Sequence, residues 1–292
     1  MPSSDALIDD RADTPVASYQ ALPVRRTAPV VVGVAAVAAV AWFLTVRQAD
    51  SMSGMVMGLG QAGRRMPGAM GVGSFFVMWS VMMTAMMAPA IVPAVLAHRR
   101  VVLRRDEGAA SSATLFAGFI AVWSLVGVAY LPPYLWFRDL GADAASSRWL
   151  PVVAGLILVV AGGYQFTRRK THCQQTCCAP VALALDHDAG RGTASAFRTG
   201  MAYGIHCLGC CWALMAVLLV VGLMNIGWMI GLTALFVVEK HWRGATTVGR
   251  VAGVALIVLG VAVIASPDLL DTISGPSASA SDMDDMDDMD MG

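Results

Sequence analysis

The sequence predicts an all-α protein, a polytopic transmembrane bundle of about seven helices. Three observations predict it. Hydrophobic residues make up 57% of the 292-residue chain and charged residues only 14%, whereas soluble domains carry roughly 45–50% apolar and about 25% charged residues. The apolar residues fall in blocks bounded by charge or turn residues, and most blocks approach the roughly 20 residues that a bilayer core requires of a helix. Lys and Arg concentrate in every second loop, as they do in multi-pass proteins. A soluble enzyme does not fit this composition.

Seven spans follow in order: Ala28–Val46, Gly73–Ala97, Ala113–Leu135, Trp149–Phe166, Met201–Val221, Ile226–Val238 and Val248–Ala265. The first exceeds the 7–15-residue core of a signal peptide and follows Asp5, Asp9, Asp10 and Asp13, so it is expected to remain in the chain. The second contains Pro89 and Pro93. Each removes a backbone hydrogen bond, which predicts a kink or an early end. The sixth is short. As a half-helix it would leave six full spans and a re-entrant piece.

With the spans alternating from an N-terminus inside, only Arg47, Arg64, Arg65, Arg138 and Arg148 of the 20 basic residues fall outside. Positive charge stays in the cytoplasm, so the N-terminus is expected there and the C-terminus outside, in the plasma (inner) membrane. Residues 1–27 then form a disordered cytoplasmic tail, 28–266 the membrane domain and 267–292 a disordered extracytoplasmic tail. That last tail alternates Met with Asp. It is either a solvated acidic run or a collector of soft metal, since thioethers favour Cu(I).

The six cysteines form two groups. His172, Cys173, Cys177 and Cys178 follow the fourth span, as a loop, while His206, Cys207, Cys210 and Cys211 open the fifth. Both groups fall on the cytoplasmic side, where structural disulfides are disfavoured and neighbouring thiols suit metal or redox chemistry. On a helix, Cys207, Cys210 and Cys211 share a face, His206 pairs with Cys210, and Met215 lies one turn below Cys211. The loop group could fold back over them. Two thiolates hold Cu(I), and four, or three with His, suit Zn(II).

Methionine is the second anomaly, with 19 in the chain. Met52, Met55, Met57, Met66 and Met70 occupy the first outside loop. Met78, Met82 and Met86, with Met83 and Met87 beside them, form a stripe along the second span. Such a stripe is either helix packing or a thioether path for Cu(I). His98 and His187 read as surface residues, and Glu239 as a ligand or a helix-end charge at the interface. The spans carry essentially no charge, and no phosphate-binding Gly-Lys-Ser/Thr loop occurs, so an energised pump is not expected.

The runs Gly200–Met215, Val221–Asn225, Trp228-Met229 and Glu239-Lys240 resemble a bacterial family described as predicted metal-binding integral membrane proteins of unknown function. Met82–Pro89 and the segment from Gly163 through Lys170, Cys173 and Cys177 to Pro180 are similar to it too. The resemblance spans about Gly73 to Ala265 and implies a metal-binding membrane role, without implying a reaction. Relatives are expected to carry one cysteine at Cys177, a basic residue in place of Cys178, and commonly Tyr in place of His206.

The expected function is therefore Cu(I) handling, by binding, passive transfer or homeostasis. The expected metal residues are Cys207, Cys210, Cys211, Cys173, Cys177, Cys178, His206, His172, Met82, Met86 and Met215. The bilayer, the ion and a metallochaperone or membrane partner protein would be its partners; nucleic acid would not. Thiol–disulfide exchange and a structural role in a membrane complex are the alternatives.

Overall fold

A computed structural model of the chain describes residues 28–52, 55, 58–62, 70–104, 108–140, 149–178, 192–242 and 245–274. The expected tail 1–27, the Met-Asp run, Met57, Met66 and His187 lie outside the described residues. Every long element among them is an α-helix: α1 Ala28–Ser51, α2 Val72–Arg104, α3 Ala109–Arg138, α4 Trp149–Tyr164, α5 Arg168–Cys178, α6 Thr193–Val221, α7 Ile226–His241, α8 Ala245–Ala265 and α9 Asp268–Ser274. A 3-10 turn, Leu59–Gln61, lies between α1 and α2.

Five helices, α1, α2, α3, α6 and α8, are each long and apolar enough to cross a membrane. A sixth crossing arises if α4 and α5 count as one span bent by 63°. The break falls at Gln165–Thr167, after Gly162 and Gly163. There the Thr167 hydroxyl accepts from the Lys170 amide at 3.3 Å, as an N-cap for α5. The sixth expected span is α7, a helix of 16 residues that falls short of the membrane-crossing helices. Asn225 starts it by accepting from the Trp228 amide at 3.3 Å. The chain turns into it at Gly222, whose φ of +108° falls in the region that favours glycine. Pro89 and Pro93 do not end α2, which continues through both to Arg104. Residues 268–274, assigned to the tail by composition, form α9, and Ser274 and Ile273 are hydrogen-bonded to Gln61 and Trp228.

Small residues set the helix contacts. Added to Gly155 or Gly162 of α4, a Cβ would lie 2.5 or 2.6 Å from the carbonyl oxygens of Gly260 and Gly253 in α8. Two glycine pairs, each seven residues apart, thus bring antiparallel backbones into direct contact, as small residues do between membrane helices. Gly118 of α3 meets Phe197 of α6, Gly200 meets Leu115, and Gly204 meets Val122, so α3 and α6 run parallel. Alternating spans require both relations. Outside, large apolar side chains such as Val77, Leu125, Val160, Val251 and Val258 are exposed. In water this surface would be costly; against lipid it costs nothing.

The two ends of the bundle differ. At one, the 3-10 turn, the Gly222 turn and α9 pack together. At the other, α5 and the end of α7 pack against α6, and Gly249 of α8 faces the α5–α7 contact.

Candidate metal centre

Cys207, Cys210 and Cys211 stand at i, i+3 and i+4 on α6, so helical geometry turns all three to one face. Their sulfurs lie within 4.8 Å of one another and all three side chains are buried. Cys210 Sγ donates to the Cys207 carbonyl at 3.1 Å and lies 3.3 Å from Cys211 Sγ. Three sulfurs around one ion at about 2.3 Å would sit about 4 Å apart. The spacing found is within a small side-chain rotation of that, so the donor set fits a soft ion.

Sequence reading placed this group at the start of a span. In the fold α6 begins eight residues before Met201, and the thiols lie midway along it. The other cysteine group is not a loop but the helix α5, whose close packing on α6 brings it to the same place. Cys177 meets Cys210 through its side chain. Cys173 Sγ lies over Gly209, where an added Cβ would come within 2.6 Å of the sulfur. Cys173 is half-buried and Cys177 buried; the Cys178 side chain lies outside the described residues. Two tyrosines hold the pieces in register. Tyr203 donates to the Cys177 carbonyl at 3.2 Å and Tyr164 to the Gly209 carbonyl at 2.5 Å.

Other expected residues are placed less closely. His206 is half-buried and His172 exposed, and neither joins the three-thiol group. Met215 is buried one turn along α6 from Cys211. Met78, Met82, Met83, Met86 and Met87 are all fully buried on α2, which packs against α1, α3 and α7. His98 is buried on α2, a correction to its reading as a surface residue: α2 outlasts the apolar run that defined the span, and its last turns stay covered.

Sequence reading missed the charged half of the site. Lys170 of α5 and Glu239 of α7 form an ion pair at 2.6 Å with side chains 2% and 3% exposed. Lys170 also donates to Gln165, and Gln174 donates to the Glu239 carbonyl at 3.3 Å. Gly249 leaves room for the pair, since a Cβ there would be 2.7 Å from the Glu239 carboxylate. Glu239 is therefore buried in a salt bridge, not an interfacial helix-end charge. Lys240 donates to Cys207 Sγ at 2.8 Å. The available signal was Glu-Lys adjoining an apolar helix, read as its wet end because the apolar run stops at Val238.

Soft donors, buried and clustered on one helix, with a second thiol-bearing helix laid across them, form a donor set that could hold a soft metal ion. A family model described as PpoB2, copper chaperone, matches residues 76–263, well over half of the chain. The comparisons with curated proteins and with solved structures found no match.

Proposed function

The chain belongs to the PpoB2 copper chaperone family, and from that premise we propose that it binds Cu(I) within the bacterial plasma membrane and passes it on without an energy source. The observation that carries this reading is the group of three buried thiols within 4.8 Å on α6. Thiolates select Cu(I), which is content with two or three of them. Zn(II) in a closed site is almost always four-coordinate, and among the described residues the mutually close group holds three sulfurs.

In this reading Cys207, Cys210 and Cys211 hold the ion. Cys177 and the half-buried Cys173 exchange it with the surface at the α5 end, where a cytoplasmic metallochaperone would dock. His172, His206 and Cys178 flank that route. Met82 and Met86 on α2, with Met215 on α6, offer thioethers for movement through the bundle, supplied by the Met-bearing segments at the opposite end. N-inside orientation follows from the basic loops. The Lys170–Glu239 pair keeps α5 docked, so the two thiol-bearing helices stay together.

The test is elemental analysis of protein purified anaerobically from native membranes. Wild type should carry copper in proportion to protein, and the Cys207→Ser, Cys210→Ser, Cys211→Ser triple variant should carry almost none. Equal copper in both refutes the reading.

A further inference from the structure

A lysine at the end of a membrane helix usually extends its ammonium to water or neutralises the last carbonyls. Lys240, in the last turn of α7, turns into the bundle instead. It is 9% exposed, its Nζ donates to Cys207 Sγ at 2.8 Å, and the same atom lies 5.6 Å from the centre of the Tyr203 ring. The other buried ammonium, that of Lys170, is matched by the Glu239 carboxylate at 2.6 Å. Lys240 thus sets an ammonium directly against the Cys207 sulfur, beside the Lys170–Glu239 pair.

Resting on the Cu(I) reading above, we propose that Lys240 selects the charge of the bound ion, acting as a built-in cation that favours a monovalent over a divalent metal. At any fixed number of thiolates, changing the ion from monovalent to divalent adds one unit charge a few ångströms from the ammonium. At about 4 Å and an effective dielectric of about 20, that repulsion corresponds to roughly a 1,000-fold preference. Ligand rearrangement absorbs part of it, leaving an expected selectivity of about 100-fold, or about 2.8 kcal/mol at about 1.4 kcal/mol per tenfold. Soft thiolates alone discriminate by ligand type; the ammonium adds discrimination by charge.

The experiment measures Cu(I) and Zn(II) affinities of the full-length protein in detergent, by chelator competition at one pH. Wild type, Lys240→Met, Lys240→Gln and Lys240→Arg are compared, with helicity followed by circular dichroism. The ratio of Cu(I) to Zn(II) affinity should fall about 100-fold in the Met and Gln variants. It should stay within a few-fold of wild type in the Arg variant, which keeps the charge. A folded Met or Gln variant with an unchanged ratio overturns the assignment while leaving the copper reading intact. Loss of fold in both neutral variants would place Lys240 in the scaffold and also overturn it. If wild type binds no Cu(I) through Cys207, Cys210 and Cys211, the functional reading itself fails.

Discussion

Replacing Lys170 by Met should destabilise the protein more than any other single change at the site. The pair it forms with Glu239 is 2.6 Å long with both side chains nearly inaccessible. Removing Lys170 takes its ammonium from a carboxylate buried in the space that Gly249 leaves for it. Breaking a buried pair in this way costs about 3–5 kcal/mol. At roughly 2–4 °C per kcal/mol for a domain of a few hundred residues, melting should fall by roughly 6–20 °C. The Lys170→Met, Glu239→Met double variant should regain most of that loss, because two apolar side chains of similar volume replace the pair without stranding a charge. Thermal unfolding followed by circular dichroism in detergent reads both. The pair also joins α5 to α7, so Lys170→Met should speed alkylation of the buried Cys177. A shift below about 2 °C for Lys170→Met, or a double variant no better than the single, would refute the reasoning.

The remaining predictions concern packing and access. Gly162→Leu should push α4 from α8, since even a Cβ would meet the Gly253 carbonyl at 2.6 Å, whereas Gly163→Leu points into open space and should be tolerated; monodispersity by size exclusion separates the two. Asn225→Ala removes the cap of α7 and should cost about 1 kcal/mol, read as a modest fall in melting temperature with helicity unchanged. Timed alkylation with mass spectrometry should label the half-buried Cys173 before the buried Cys177, Cys207, Cys210 and Cys211; equal rates would contradict the packing of α5 over α6. Gly209→Ala would set a methyl against Cys173 Sγ and should raise the Cys173 rate further.

Several features were legible without a structure because they are properties of one helix or of composition. The all-helical class follows from apolar blocks. The shared face of Cys207, Cys210 and Cys211 follows from helical spacing, and the brevity of α7 follows from the turn at Val221–Asn225 and the charges at Glu239–Lys240. Helix extents were less legible. Apolar runs mark lipid-facing length, so the first two turns of α6 and the last of α2, which are polar yet continuous with the helix, escaped notice. Charge signals exposure in a sequence, so the burial of Lys170, Glu239, Lys240 and His98 has no local mark.

By itself, then, the sequence determined that this chain is helical, suits a bilayer, and carries soft donors in two short segments, because those properties depend on neighbours a few residues away. Only the tertiary structure decided that the segment 168–178 is a helix laid against α6, that Cys177 reaches Cys210, and that an ammonium from α7 meets Cys207. Those meetings join residues tens of positions apart. They depend on how glycine contacts and a 63° break let whole helices approach, and no local pattern encodes that distance.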